Sequence, residues 1–177
     1  MSGSEPLIVT AALDERSFAR FEALRQAHFP RERNLVPAHL TLFHALPHDQ
    51  EDHVRRTLDA ASRSRPSLPL AVRGPWSLGR GVAYRLAGGE LDQLRHELAD
   101  AFGEWLTRQD RQPFRPHITV QNKVRPEDAR RVLAQLQMTF EPFSVVIEGL
   151  LLWRYRGGPW SLVERFDFDR AESCGPA

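Results

Sequence analysis

The sequence predicts an α+β fold built as two similar lobes that share one cleft. Two observations predict it. The segment Pro37-Ala38-His39-Leu40-Thr41-Leu42 returns later in the chain as Arg115-Pro116-His117-Ile118-Thr119-Val120. Around each copy the elements come in one order: strand, helix, polar loop, His-x-Thr strand, helix, strand. Side chains alternate between the faces of a strand, so His39 and Thr41 share one face while Leu40 and Leu42 take the other. His117 and Thr119 divide from Ile118 and Val120 in the same way. Each motif strand thus turns an imidazole and a hydroxyl away from a buried apolar face. Two similar lobes facing one another bring both polar faces into a common cleft.

The individual elements follow from local pattern. Leu7 to Leu13 (LIVTAAL) reads as a buried strand. Asp14 is placed to cap a helix in which Phe18, Phe21, Leu24 and His28 recur at helical spacing, until Pro30 stops it. The polar loop 31–38 leads into the first motif strand, His39 to Leu46. Pro47 and Asp49 open a second helix with Val54, Leu58 and Ala61 inward, and Pro66 ends it before a short strand, Leu68 to Val72. Gly74-Pro75 and Gly79 to Gly81 punctuate the middle of the chain. Val82 to Ala87 is a strand, and Leu91, Leu94, Leu98, Phe102 and Trp105 mark a long amphipathic helix. A second loop, Thr107 to Arg115, precedes the second motif strand, His117 to Val124. Pro126 suits the first turn of the last helix, which turns Ala129, Val132, Leu133 and Leu136 inward. Ser144 to Arg156 and Trp160 to Phe168 make a hairpin turned at Gly157-Gly158. Residues 1–177 are therefore expected as a single bilobal domain, with lobes at about 7–72 and 82–168 and loose ends at 1–5 and 170–177.

Composition narrows the function classes. A net charge of +1 excludes a molecule that attracts polyanions as a whole, so anion binding has to come from local clusters. Cys174 is the sole cysteine, which excludes an intrachain disulfide and points to a cytoplasmic protein. The apolar run Leu7 to Leu13 is too short for a membrane span or a signal peptide. No His/Cys/Asp/Glu set has metal-site spacing, and Gly79-Arg80-Gly81 lacks the lysine and helix start of a phosphate-cradling loop. The expectation is a monomer with no metal, cofactor, membrane or protein partner.

The paired motifs HLTL and HITV carry a resemblance, together with Phe114-Arg115-Pro116 before the second and the closing hairpin LLLWRYRGGPWSLVERFDF. They resemble the 2H phosphoesterase superfamily, specifically its 2′-5′ RNA ligase-like and RNA 2′,3′-cyclic phosphodiesterase group. The resemblance spans about Leu7 to Phe168. It implies two antiparallel-rich lobes about a pseudo-twofold axis, helices on their outer faces, the active site in the central groove, and a metal-independent reaction. It implies His39, Thr41, His117 and Thr119 as the catalytic residues. Two departures stand out. Bacterial members commonly carry an arginine shortly after the second motif, where this chain has Asn122 and Lys123, and a tyrosine before the last strand, where it has Trp160.

The implied reaction is hydrolysis of RNA 2′,3′-cyclic phosphate ends to 2′-phosphates, with reversible 2′-5′ RNA ligation as a close variant. It needs a base for water and an acid for the departing ribose oxygen. Imidazole suits both because its ordinary pKa, about 6.5, allows one neutral and one cationic copy near neutral pH. Threonine hydroxyls can hold the non-bridging oxygens as charge builds. The resemblance implies His117 as the base and His39 as the acid. Two alternatives are a phosphodiesterase for a small cyclic nucleotide or cyclic phosphate sugar, and a non-catalytic RNA-end-binding module. Strand alternation adds further ligands: Phe43 continues the His39 face, and Gln121 and Lys123 continue the His117 face. Arg154 and Arg156 share a face of the hairpin, and guanidinium and aromatic groups together suit a phosphate and a base. His44 falls on the face opposite His39 and is assigned no role, as are His28, His48, His53 and His96.

Overall fold

Seven strands and four α-helices follow one another along the described residues: β1 (Leu7–Leu13), α1 (Glu15–His28), β2 (Leu40–Leu46), α2 (Glu51–Arg63), β3 (Leu68–Ser77), β4 (Val82–Ala87), α3 (Gly89–Phe102), β5 (His117–Gln121), α4 (Pro126–Met138), β6 (Phe143–Tyr155) and β7 (Trp160–Asp167). The structure is a computed structural model that describes residues 5–63 and 65–169. Of the loose ends expected at 1–5 and 170–177, residues 1–4 and 170–177, Cys174 among them, lie outside the described residues.

Local chemistry sets the element ends where the sequence placed them. Asp14 caps α1 by accepting the Ser17 amide at 2.6 Å. Pro126 sits in the first turn of α4, where its missing N–H leaves nothing unpaired. Two strands differ from expectation. β3 runs on through Gly74-Pro75 to Ser77 instead of stopping at Val72. Gly74 takes a φ of 123° at a register shift against β4, so the strand bulges there and continues. Pro75 interrupts no ladder with β6, whose pairing with β3 ends at Val72. β5 is shorter than predicted and ends at Gln121, and Lys123 turns the chain with a φ of 59°.

All strands pair antiparallel in the order β2-β1-β6-β3-β4-β5, with β7 added on β6. The long strand β6 joins the two halves. Its first residues, 143–147, pair with β3, while 149–155 pair with β7. Its other edge carries β1. Pairing therefore runs across the division expected between 72 and 82: β3 joins β4 and β5, and the end of the chain joins β1 and β2. Hydrophobic alternation specifies which face of a strand is buried but not which neighbour it pairs with. The sheet curls until its two edge strands, β2 and β5, touch. That contact brings the two motifs together. The helices pack on the outside, α1 against β5, α4 against β3 and β4, and α2 against α3, β6 and β7. A continuous apolar core runs through both halves, with Phe21, Leu58, Leu94, Ile118 and Leu152 among its fully buried members.

Each motif strand carries a bulge just after its threonine. Against β1, Thr10 faces Thr41 and Val9 faces Phe43, so Leu42 is the extra residue. Against β4, Ala83 faces Thr119 and Val82 faces Gln121, so Val120 is the extra residue. A bulge resets the alternation of faces beyond it. The second bulge rests on Gly81, where a Cβ would run into the backbone of Gln121 and Asn122. Gly81→Ala is expected to push β5 off β4 beside the motif, lowering stability by about 1–3 kcal/mol. Urea unfolding followed by circular dichroism measures it.

Candidate active site

The curl of the sheet places His39, Thr41, His117 and Thr119 around one pocket of about 180 Å³, completed by Ile8, His44 and Trp160. A larger cavity, about 660 Å³, lies against α3 and the segment 103–114 and holds none of the motif residues. In the smaller pocket the two histidines are held alike. His39 Nδ1 lies 2.7 Å from the Pro37 carbonyl oxygen, and His117 Nδ1 lies 2.7 Å from that of Arg115. A carbonyl oxygen only accepts, so Nδ1 carries the proton in both rings. Nε2, on the far side of each ring, is left for proton transfer. Each ring also leans on a tryptophan: Trp160 at 4.7 Å from His39 and Trp76 at 5.9 Å from His117, centroid to centroid. Trp160 is backed by Trp153, whose indole N–H donates to Thr10 Oγ1 at 2.9 Å.

Burial pushes His39 down to about 4, against the Pro37 carbonyl bond that favours protonation. Positive charge on Arg25, and on His117 or His44 whenever either is protonated, lowers it further. His39 is therefore neutral at pH 7.

The bulges separate the residues that strand alternation had grouped. Phe43 is not in the pocket but fully buried in the core, edge-on to Phe102 at 5.0 Å and under the guanidinium of Arg95 at 3.8 Å. Gln121, its counterpart in the second motif, is likewise buried. Lys123 lies beyond the strand end and outside the pocket lining, its carbonyl accepting from Arg33. Arg154 is paired with Glu51, and Arg156 faces Glu5 at 3.4 Å. Neither lines the pocket. The same bulge that buries Phe43 swings His44 into the pocket, contrary to the face the sequence predicted for it.

Two buried arginines tie the motifs in place. Arg25 of α1 reaches across to β5, donating to the Thr119 carbonyl at 2.8 Å, and also to Asn34 Oδ1 and the Val36 carbonyl. Arg95 of α3 reaches the other way, donating to the Leu42 carbonyl of β2 at 2.7 Å and to the Asp110 carbonyl at 2.7 Å. Each helix thus holds the motif strand of the opposite half and the loop that precedes the motif of its own half. Asp110 is buried as well. Burial works to raise its carboxyl, but hydrogen bonds from the ring and amide of His44 and the amide of Ala45 outweigh that and hold it below the usual range. A signal for both arginines existed in the sequence. Arg25 sits four residues after Phe21 and Arg95 four after Leu91, each on the inward stripe of its helix.

A family model of the 2′-5′ RNA ligase superfamily matches residues 13–159. The chain belongs to that superfamily. Solved structures similar to this superfamily member share its fold. TT0787 of Thermus thermophilus is 19% identical with a TM-score of 0.67, over 94% of this chain and 99% of that one. LigT of E. coli, solved with 3′-AMP, is 20% identical with a TM-score of 0.64, over 95% and 100% of the two chains. A phosphoesterase structure is 23% identical with a TM-score of 0.62, over 95% and 100%. Among curated proteins none matches the sequence. Among the described residues, no helix is long and apolar enough to cross a membrane, and no group of three or more His, Cys, Asp or Glu is placed to hold a metal ion.

Two outcomes follow for this 2′-5′ RNA ligase superfamily member. A folded-state pKa depressed below the unfolded value means the unfolded chain binds the extra proton. The stability that neutral His39 provides is therefore present above about pH 6.5 and lost as pH falls towards 4. Between pH 7 and pH 4, wild type should lose on the order of 2–3 kcal/mol more than His39→Gln, as read by urea unfolding at the two pH values. Arg25→Met should destabilise by about 1–3 kcal/mol for each buried acceptor left unpaired. Arg25→Lys should not rescue it, because one ammonium cannot match the fork of a guanidinium. Melting curves of the two variants check this.

Proposed function

We propose that the chain is a metal-independent phosphodiesterase that opens RNA 2′,3′-cyclic phosphate ends to 2′-phosphates, with reversible 2′-5′ RNA ligation as a variant of the same site. The observation that supports it is the lining of the small pocket: two imidazoles of the same tautomer, each with Nε2 unclaimed by its carbonyl partner, and two hydroxyls. Water attacks phosphorus and the bond to the ribose 3′ oxygen breaks. One imidazole takes the proton from water at Nε2, and the other gives its Nε2 proton to the departing oxygen. Thr41 and Thr119 donate to the non-bridging oxygens as negative charge accumulates. Positioning and electrostatic stabilisation supply most of the rate enhancement in such chemistry.

The order implied by the resemblance, His117 as base and His39 as acid, requires His39 to gain a proton. The negative charge of the bound phosphate favours that gain. A second reading reverses the roles, and the depressed pKa of His39 favours it. The two readings separate by NMR titration of His39 in complex with a nucleotide 2′-phosphate. A pKa raised above 7 supports His39 as the acid; one that stays near 4 supports it as the base.

His39→Ala and His117→Ala should each lower kcat/KM on a 2′,3′-cyclic nucleotide by about 10²–10⁴ and abolish a bell-shaped pH profile. Thr41→Val and Thr119→Val should each lower it by about 10²–10³. Product analysis by phosphorus NMR over cyclic RNA ends, 3′,5′-cyclic nucleotides and cyclic sugar phosphates identifies the substrate class. Near-normal turnover by either histidine variant would sink the mechanism. Binding of cyclic-phosphate RNA without product would instead favour an end-binding module.

A further inference from the structure

The pocket holds a third imidazole that neither His-x-Thr motif contains. The His44 side chain is 43% exposed, while the Asp110 carboxylate beneath it is 1% exposed. His44 Nδ1 lies 2.8 Å from Asp110 Oδ1. The same carboxylate accepts from the His44 amide at 2.9 and 3.1 Å, the Ala45 amide at 3.3 Å and the Thr107 hydroxyl at 3.2 Å. A carboxylate held by so many donors is ionised and stationary. Its ring contact pins the proton on Nδ1 and leaves Nε2 for whatever enters the pocket. His44 is thus a fixed group of the pocket, placed there by the bulge at Leu42-Phe43.

We propose that His44 is an anion ligand of the pocket, with Asp110 as its positioning residue, and that it donates Nε2–H to a non-bridging phosphate oxygen. The inference deepens the phosphodiester reading above and rests on it for the identity of the anion. The non-bridging oxygens of a phosphodiester carry no proton, and a neutral ring presents only a lone pair at Nε2. Binding therefore draws one proton onto His44, giving a row of carboxylate, imidazolium and phosphate in which charges alternate. The charged or titratable groups around this row are Asp110 at Nδ1, Arg95 beside Asp110, and His39 and His117 across the pocket. Of these only Asp110 is anionic, so Asp110 and the phosphate stabilise the imidazolium from opposite sides of the ring. The hydroxyls of Thr41 and Thr119 serve the same oxygens without charge. His44 adds a charge-assisted bond to them.

The probe is inorganic phosphate, titrated at pH 8, where the dianion with three unprotonated oxygens predominates, by calorimetry and by long-range proton–nitrogen NMR of the imidazoles. Two conservative variants separate the two ends of the ring. The amide of His44→Asn can keep the Nδ1-like bond to Asp110 but cannot reach the anion. The amide of His44→Gln can reach the anion but loses Asp110. His44→Asn should weaken phosphate binding about tenfold or more with little change in melting temperature, and His44→Gln should weaken it less. In the wild type, saturation should move His44 to the doubly protonated nitrogen pattern. Phosphate binding by His44→Asn at wild-type strength, an unchanged His44 ring on saturation, or no phosphate binding by the wild type at millimolar concentration would each overturn the proposal. If phosphate binding depends on His44 but no cyclic phosphate is turned over, the reaction fails and the ligand stands. If turnover is normal and His44→Asn matches wild type, the His44 assignment alone fails.

Discussion

The arrangement depends on two guanidinium groups that leave their own half of the molecule. Arg25 and Arg95 are each nearly inaccessible to solvent, and each donates to a main-chain carbonyl in the motif strand of the other half. Burying an arginine is unfavourable unless its donors are met, and here they are met by loop acceptors of the same half together with a motif-strand carbonyl that the curled sheet brings within reach. Folding of the helices, closure of the sheet and placement of the motif strands are therefore coupled. Burial lowers both pKa values, and nearby acidic groups, Glu22 for Arg25 and Asp110 for Arg95, oppose the shift. Arginine serves where lysine would not, since its five fixed donors can serve several carbonyls at once.

Above this frame the chemistry of the pocket is set by small irregularities of regular structure. An uninterrupted strand would keep residues 39, 41 and 43 on one side and 117, 119 and 121 on the other strand's equivalent. One extra residue after each threonine sends Phe43 and Gln121 into the interior and lets the polar surface of each motif end after two side chains. The result is a pocket with few, well-held groups. The motif imidazoles are oriented by carbonyls two residues earlier, at the same 2.7 Å in both halves. Tryptophans on strands outside the motifs, Trp76 and Trp160, pack against them from either side.

Much of this was legible before any coordinates. Repetition of His-x-Thr within repeated element order announced two equivalent strands, and the helix ends were written in Asp14, Pro30 and Pro126. Other features were invisible for definable reasons. Gly74-Pro75 looked like a stop because both residues weaken strands, yet the loss of a neighbour on one edge lets β3 carry them. Strict alternation puts His44 on the core side, and only the bulge, which the sequence does not reveal, turns it outward. Arg154 and Arg156 looked like phosphate ligands, but Glu51 and Glu5 meet them from distant parts of the chain.

What the sequence determined by itself is local: periodicity, caps, breakers, and the residue types that each motif presents beside its own backbone. Those depend on contacts within a few residues, which the order of amino acids contains. Tertiary structure alone decided which strand lies beside which, how β6 is shared between halves, and which side chains beyond each threonine face the pocket. It also decided that Arg25, Arg95 and Asp110 would be buried and satisfied. Such outcomes come from long-range pairing and from the shape of the closed sheet, where a single inserted residue reverses every face after it.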